Sequence, residues 1–150
     1  MQLPILLLSL LLNFWDSAVA GSGPPTAQSK NGTYSGVHVP QLKQDIFRGI
    51  PFAHAPRYQN AQSLTEKWSG IRAATEPGLT CSGYGTNNYF GWQVGEDCLN
   101  LNVVRPEGVG PEAELPVLIW IYGGGYSQGS NRDPEFNTSF LLQTSLDIGC

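Results

Sequence analysis

The stretch L-P-V-L-I-W-I-Y-G-G-G-Y-S-Q-G-S, Leu115 to Ser130, decides the fold class. Its first half, Leu115 to Tyr122, is a continuous apolar run bounded by Gly and Pro on both sides. A run without polar alternation predicts a strand covered on both faces, as in an α/β sheet. Three glycines and a turn-rich loop follow, and from Asn137 the pattern becomes helical. Asn137 or Ser139 can cap that helix. Phe140, Leu141, Leu142 and Leu146 supply its apolar face, and Gly149 ends it. Strand, glycine loop and helix make the opening of an α/β unit, with no later strand in the chain to pair with it.

Two hydrolase patterns overlap at Gly125. Gly125-Tyr126-Ser127-Gln128-Gly129 fits G-x-S-x-G, in which a nucleophilic serine sits on a sharp strand-to-helix turn. Here the helix is missing. Ser127 is followed by Q-G-S-N-R-D, which favours turns, and Pro134 could start a helix only seven residues later. An activated serine also needs a base within hydrogen-bond reach. The two histidines, His38 and His54, lie far upstream in strand and loop sequence. Ser127 is therefore not expected to be the nucleophile. The second pattern, Gly123-Gly124-Gly125, lets the backbone turn at positive φ and aim N–H donors at a developing oxyanion. On this segment alone a tight turn without chemistry is an equally good reading.

The chain has 150 residues, enough for one small domain or a piece of a larger one. Leu3 to Leu12 is apolar but too short to span a bilayer as a helix, and Ala18-Val19-Ala20 forms an A-x-A pattern. Residues 1–20 are expected to be a secretory signal peptide cut after Ala20, although the n-region lacks Lys and Arg. An N-terminal anchor or a buried segment is the alternative. Removing the leader takes away Asp16 and leaves eight basic against eleven acidic residues, a net charge of −3. No basic cluster supports nucleic-acid binding, and no second apolar segment is long enough to span a membrane. No cofactor or metal is expected.

Secretion makes three further features meaningful. In an oxidising compartment a Cys81–Cys98 bridge is the natural pairing, with 16 residues between its ends. The chain-entropy relation gives such a loop on the order of 3 kcal/mol. Cys150 is left over, either a buried thiol or the partner of a residue beyond the end. Asn31-Gly32-Thr33 and Asn137-Thr138-Ser139 are glycosylation sequons.

Residues 21–30 are polar and rich in Gly, Pro and Ser, and read as a flexible mature N-terminus. Tyr34 to Val39 and Asp45 to Gly49 read as short strands around a turn at Pro40. The segment from Ile50 to Cys98 reads as a long irregular covering. Leu99, Leu101 and Val103 alternate with Asn100 and Asn102, predicting a half-buried strand ended by Pro106.

Gly95 to Val104, G-E-D-C-L-N-L-N-V-V, resembles the E-D-C-L-x-L-N signature of type-B carboxylesterases, the cholinesterase and lipase-like branch of the α/β-hydrolases. F-R-G-I-P-F-A-H-A-P (Phe47 to Pro56) is similar to that family's F-x-G-I-P-Y-A-x-P-P. W-S-G-I-R-A-A-T (Trp68 to Thr75) is similar to its W-x-G-x-x-x-A-T, and the glycine loop to its H-G-G-G-F-x-x-G-S. The resemblance runs from about Asn31 to Cys150, so residues 31–150 are expected to be the incomplete N-terminal portion of such a domain. The implied fold is α/β, a small antiparallel meander plus the first strands of a central mixed sheet. The Asn/Gly/Ser-rich detail is similar to secreted fungal members.

The resemblance implies roles. Gly124 and Gly125 would line the oxyanion hole with their N–H groups, and Tyr126 beside them would touch substrate. Cys81 and Cys98 match a disulfide whose loop overhangs the gorge, and Glu96 an acid that pairs with arginine, here Arg57. Tyr122 replaces the histidine of H-G-G-G, as in fungal lipase-like members. The chain is shorter than the family before Arg57. The Cys81–Cys98 loop is shorter than a lipase lid, so no interfacially activated flap is expected, and Trp92 within it is expected to pack. The family's nucleophile, in G-E-S-A-G, and its acid and base match nothing in this chain, which alone is expected to be inactive and to fold poorly. The expected activity is hydrolysis of a small-molecule or lipid carboxylic ester. A non-catalytic relative used for binding or adhesion, or a standalone binding fragment, is the alternative. Substrate and oligomeric state are not legible.

Overall fold

The computed structural model describes residues 23–84 and 90–149. The leader, its cleavage point after Ala20 and Cys150 lie outside the described residues. Among the described residues, eight short strands and one α-helix follow in order, with 3-10 turns at Pro40–Leu42 and Pro134–Phe136: β1 (Thr26–Gln28), β2 (Thr33–Ser35), β3 (Val37–Val39), β4 (Gln44–Pro51), β5 (Ala53–His54), β6 (Gln62–Ser63), β7 (Ile71–Ala73), β8 (Asn100–Pro106) and α1 (Ser139–Ile148).

They form three small sheets, ordered β1-β2-β7, β3-β4-β8 and β5-β6. The run Tyr34 to Val39, expected as one strand, is divided at Gly36 between two of them. β2 pairs antiparallel with β1 and parallel with β7, while β3 pairs antiparallel with β4 across the Pro40 turn. β4 and β8 form the longest ladder, from Gln44↔Pro106 to Pro51↔Asn100, with a register shift between Phe47 and Ile50.

The core lies where the first two sheets meet. Phe47, Tyr34 and Ala74 are buried there, with Ala27, Ile50 and Trp68 packed against them. Trp68 meets Tyr34 edge-on at 5.0 Å, donates its indole N–H to Thr33 O and carries the Arg72 guanidinium on its ring. Arg105 ties three strands together. It reaches Asp45 on β4 and the Thr26 carbonyl on β1 from its own place on β8, and it lies over the Phe47 ring. A buried, solvent-shielded carboxylate needs such a partner, because an unpaired charge in that position is strongly unfavourable.

Two expectations are corrected. Residues 21–30 are not simply a flexible lead-in: β1 lies within them, and Pro25 O accepts from Gly36 N at 2.8 Å. Polar composition hid a short edge strand, whose order comes from its neighbours rather than from apolar side chains. The second correction concerns Leu115 to Tyr122, expected as a strand covered on both faces. It joins no sheet among the described residues, and Val117, Leu118, Ile119, Trp120 and Ile121 are 58–84% exposed. A buried strand needs neighbours on both edges and cover on both faces. The described residues provide neither, apart from a tilted contact between Trp120 and Phe136.

β8 forms as expected, but Leu101 and Val103 remain more than a third exposed. Its asparagines do the joining. Asn102 accepts from Gly49 N at the register shift, and Asn100 donates to Leu79 O. The helix forms where expected, but its N-cap is Thr138 without a side-chain cap bond, and Phe140 and Leu141 of its expected apolar face stay 68% and 53% exposed. Asn137 Oδ1 accepts from Ser139 N at 3.0 Å, and Gly149 ends α1 at φ 75°. The fully buried Gln44 fastens the start of α1 to β4 by donating to Ser139 O at 2.8 Å.

Candidate oxyanion site

The glycine loop is a tight turn closed on one carbonyl. Gly124 O accepts from Ser127 N at 3.1 Å, from Gln128 N at 3.3 Å and from the Ser127 hydroxyl at 3.0 Å. In a trans peptide the C=O and the following N–H point in opposite directions. Because Gly124 O is turned inward, the N–H of Gly125 is turned outward. Neither Gly124 N–H nor Gly125 N–H has an acceptor among the described residues. Consecutive N–H groups left without an internal acceptor are the kind of donors that can hold an anion.

The backbone requires glycine here. Gly124 has φ 132°, and a Cβ on it would overlap Gln128 O. At Gly129, with φ 117°, a Cβ would lie 2.6 Å from Gly123 O and 2.8 Å from Tyr122 Cδ2. Gly125 and Tyr126 both occupy the left-handed region, at φ 60° and 58°. Tyr126 projects fully into solvent at the tip of the turn and borders a hollow of about 210 Å³. Ser127, Tyr122 and the disulfide residue Cys81 border the same hollow.

Ser127 is not prepared for nucleophilic attack. Its hydroxyl is donated into its own turn, and no histidine reaches it. His38 lies between Asp45 (3.0 Å) and Glu107 (3.4 Å), and His54 lies against Asp97 at 3.1 Å. The expected tight turn is therefore present and the serine elbow is not.

The disulfide joins Cys81 to Cys98, with their Cα atoms 4.9 Å apart. Its segment reaches the glycine turn directly. Tyr84 N donates to Ser127 O at 2.8 Å, and the Thr80 and Ser130 hydroxyls meet at 2.9 Å. On the far side Asn131 donates to Asn100 O and Oδ1, and Asn102 donates to Asn131 O. Sequence reading treated Ser130 and Asn131 as turn formers and gave Thr80 no role. Their polarity was visible, but the partners, up to 50 residues away in the chain, were not.

Arg57 and Glu96 form the expected ion pair on the rim of a second hollow, of about 390 Å³, which Cys81 and Cys98 also border. The hydrogen bond from Arg57, and then its charge, hold the Glu96 carboxyl below its ordinary range. The same bond, the Glu96 charge and Tyr58 raise Arg57. Both side chains are largely solvated, so the pair adds little to stability.

The sequons differ in setting. Asn31 Nδ2 donates to Leu64 O and Glu66 O, at 3.3 and 2.6 Å. Asn137 is exposed, and among the described residues its side chain is engaged through Oδ1 alone. No group of His, Cys, Asp and Glu among the described residues could hold a metal ion, and none of their helices is long and apolar enough to cross a membrane.

The chain is 35% identical to Lipase 1 of Geotrichum candidum over 156 aligned residues, covering 84% of the chain and 27% of that lipase. A shorter stretch of 56 residues, 37% of the chain and 10% of the relative, is 47% identical to the inactive carboxylesterase-like protein VdtD of Byssochlamys spectabilis. The crystal structure of Aspergillus niger EstA superposes with a TM-score of 0.67 at 28% identity, covering 83% of the chain and 24% of EstA. The fold is thus the N-terminal part of an α/β-hydrolase, and the chain spans about a quarter of the length of such relatives. Residues 24–148 match the Carboxylesterase family, and the chain belongs to that family.

Proposed function

We propose that this chain supplies the oxyanion-binding part of a carboxylic ester hydrolase whose serine, acid and base come from residues outside it. A serine attacks the acyl carbon, the carbonyl oxygen becomes negative, and the Gly124 and Gly125 N–H groups donate hydrogen bonds to it. A third donor would come from the residue after the nucleophile. Donors held in place before reaction stabilise the tetrahedral intermediate without reorganisation, which is why such sites are effective. The observation that carries this reading is the Gly124–Gly125 peptide, its carbonyl held by three donors and its N–H without an acceptor among the described residues.

The substrate is a small-molecule or lipid ester, with Tyr126 against it. The chain is secreted after cleavage behind Ala20, with Asn137 as glycan acceptor. Asn31, also a sequon, would have to give up one of its two carbonyl contacts to carry a glycan. The short Cys81–Cys98 loop forms no interfacial flap. By itself the chain is inactive.

The test is a hybrid in which residues 24–148 replace the matching part of Geotrichum candidum Lipase 1. It should hydrolyse p-nitrophenyl butyrate. Gly124→Ala should lower kcat by about 10²–10³, the usual effect of losing an oxyanion donor, and Ser127→Ala, which removes one of the three donors to Gly124 O, should lower it by no more than about 10-fold, the worth of one ordinary hydrogen bond. A hybrid that keeps its kcat with Gly124→Ala refutes the reading.

The likeness to an inactive relative favours a second reading, in which the complete protein binds without turnover. Fluorophosphonate labelling of the complete translation product separates the two, since only an activated serine reacts.

A further inference from the structure

The turn's internal hydrogen bonds fix its shape, but they do not fix where its outward N–H groups point. That depends on what holds the turn to the rest of the molecule. Several contacts with other described residues anchor the segment from Ser127 to Arg132. Asn131 and Asn102 tie its end to β8, and the Arg132 guanidinium reaches Gly78 O at a long 3.5 Å. The disulfide side contributes two, Tyr84 N to Ser127 O and the Thr80–Ser130 hydroxyl pair. Of all these the hydroxyl pair is the one with both side chains buried, each 2% exposed.

Thr80 is also the best-held point on the disulfide side. Its N–H donates to Gln93 O and its carbonyl accepts from Gly95 N, so both backbone groups are bonded. The next residue is Cys81, fixed by the disulfide. Ser130 follows Gly129, where the turn closes against Tyr122, and its oxygen also accepts from Arg132 N at 3.1 Å. The bond therefore joins a rigid support to the outlet of the turn. Sites held by such supported contacts keep their geometry, whereas loosely supported ones drift.

We propose that Thr80 and Ser130 are positioning residues: their buried hydroxyl pair transmits the fixed geometry of the Cys81–Cys98 segment to the glycine turn and sets the direction of the Gly124 and Gly125 N–H groups. The functional half of this statement rests on the oxyanion reading above. The mechanical half does not.

The test is hydrogen exchange by mass spectrometry on the full oxidised chain at micromolar concentration, with residue-level fragmentation. The reporters are the Ser127 and Gln128 amides, which close the turn on Gly124 O. The reference is the Arg48 amide, bonded to Ala74 O at 2.7 Å in the core region. Thr80→Val removes the hydroxyl at nearly constant shape. It should accelerate Ser127 and Gln128 exchange about 10-fold, the factor expected for one ordinary hydrogen bond. Ser130→Ala should act more strongly, since Arg132 N also loses its acceptor. The double variant should be no faster than Ser130→Ala, because the shared bond is already gone. Thr80→Ser, which keeps the hydroxyl, should restore protection. Arg48 should not change in any variant. Unchanged reporters, additive effects, failure of Thr80→Ser to restore protection, or equal acceleration at Arg48 would each overturn the proposal. An inactive hybrid enzyme would sink the oxyanion reading alone and leave this coupling measurable.

Discussion

The disulfide gives the most quantitative test of how the glycine turn is supported. Replacing both cysteines, Cys81→Ser with Cys98→Ser, removes a cross-link between positions 17 residues apart. A loop of this size restricts the unfolded chain by about 3 kcal/mol. Native geometry decides how much of that reaches the folded state. Here the bridged ends are already brought together by Thr80 N to Gln93 O and by Gly95 N to Thr80 O, so the cross-link adds no new constraint to the fold. Most of the entropic term should therefore appear as stability. With a urea slope of about 1–2 kcal/mol per molar, the midpoint should fall by roughly 1.5–3 M. Tryptophan fluorescence is a suitable signal, because Trp68 packs on the core beside Tyr34. Micromolar protein keeps association out of the measurement. The wild-type chain fully reduced before unfolding should match the double variant. A loss below about 0.5 kcal/mol, outside the usual range for native bridges, would show that the bridged segment is already confined in the unfolded chain, and the reasoning would fail.

Other outcomes follow from the same geometry. Gly124→Ala should destabilise the turn by about 3–4 kcal/mol, through a disallowed φ and the opening of bonds to its carbonyl. Gly125→Ala, with open space around its Cβ, should cost only about 1–2 kcal/mol for the left-handed backbone. Equal exchange rates at Ser127 in the two variants would contradict this ranking. Ile119→Lys should reduce self-association of the chain in sedimentation velocity, since Ile119 sits mid-run with 78% exposure. No change in the sedimenting species would mean that another surface drives association. The Arg57–Glu96 pair should persist at neutral pH and be lost on acidification. Glu96 is held below its ordinary value, so the pair's contribution is present above the unfolded carboxyl pKa and vanishes as pH falls through the lowered one. An NMR titration of the Glu96 carboxyl with an ordinary midpoint would refute it.

The parts legible in sequence were those set by near neighbours. Gly149 ended the helix and Asn137 accepted at its start, because capping needs only a few adjacent residues. The β3–β4 hairpin followed from Pro40 between two apolar stretches. The candidate site was half legible. The three glycines announced a positive-φ turn, and the missing helix after Ser127 excluded the elbow. What the sequence could not show was the company each segment keeps. The parallel pairing of β7 with β2 joins residues nearly 40 apart, and the Thr80–Ser130 bond spans 50. The apolar run at Leu115 declared what the chain would bury if it had a partner, and periodicity says nothing about whether one is present.

That run has a consequence in the cell. Val117 to Ile121 is uncharged, contains no proline and stands open to solvent, so it looks to quality-control machinery like a chain that has not finished folding. For such a species abundance follows triage by chaperones and proteases, not the depth of the folded minimum. We expect the half-life of the isolated chain to lengthen when this stretch is covered, even if no contact in the oxyanion turn changes. Pulse-chase comparison of the chain with its Ile119→Lys variant would measure that.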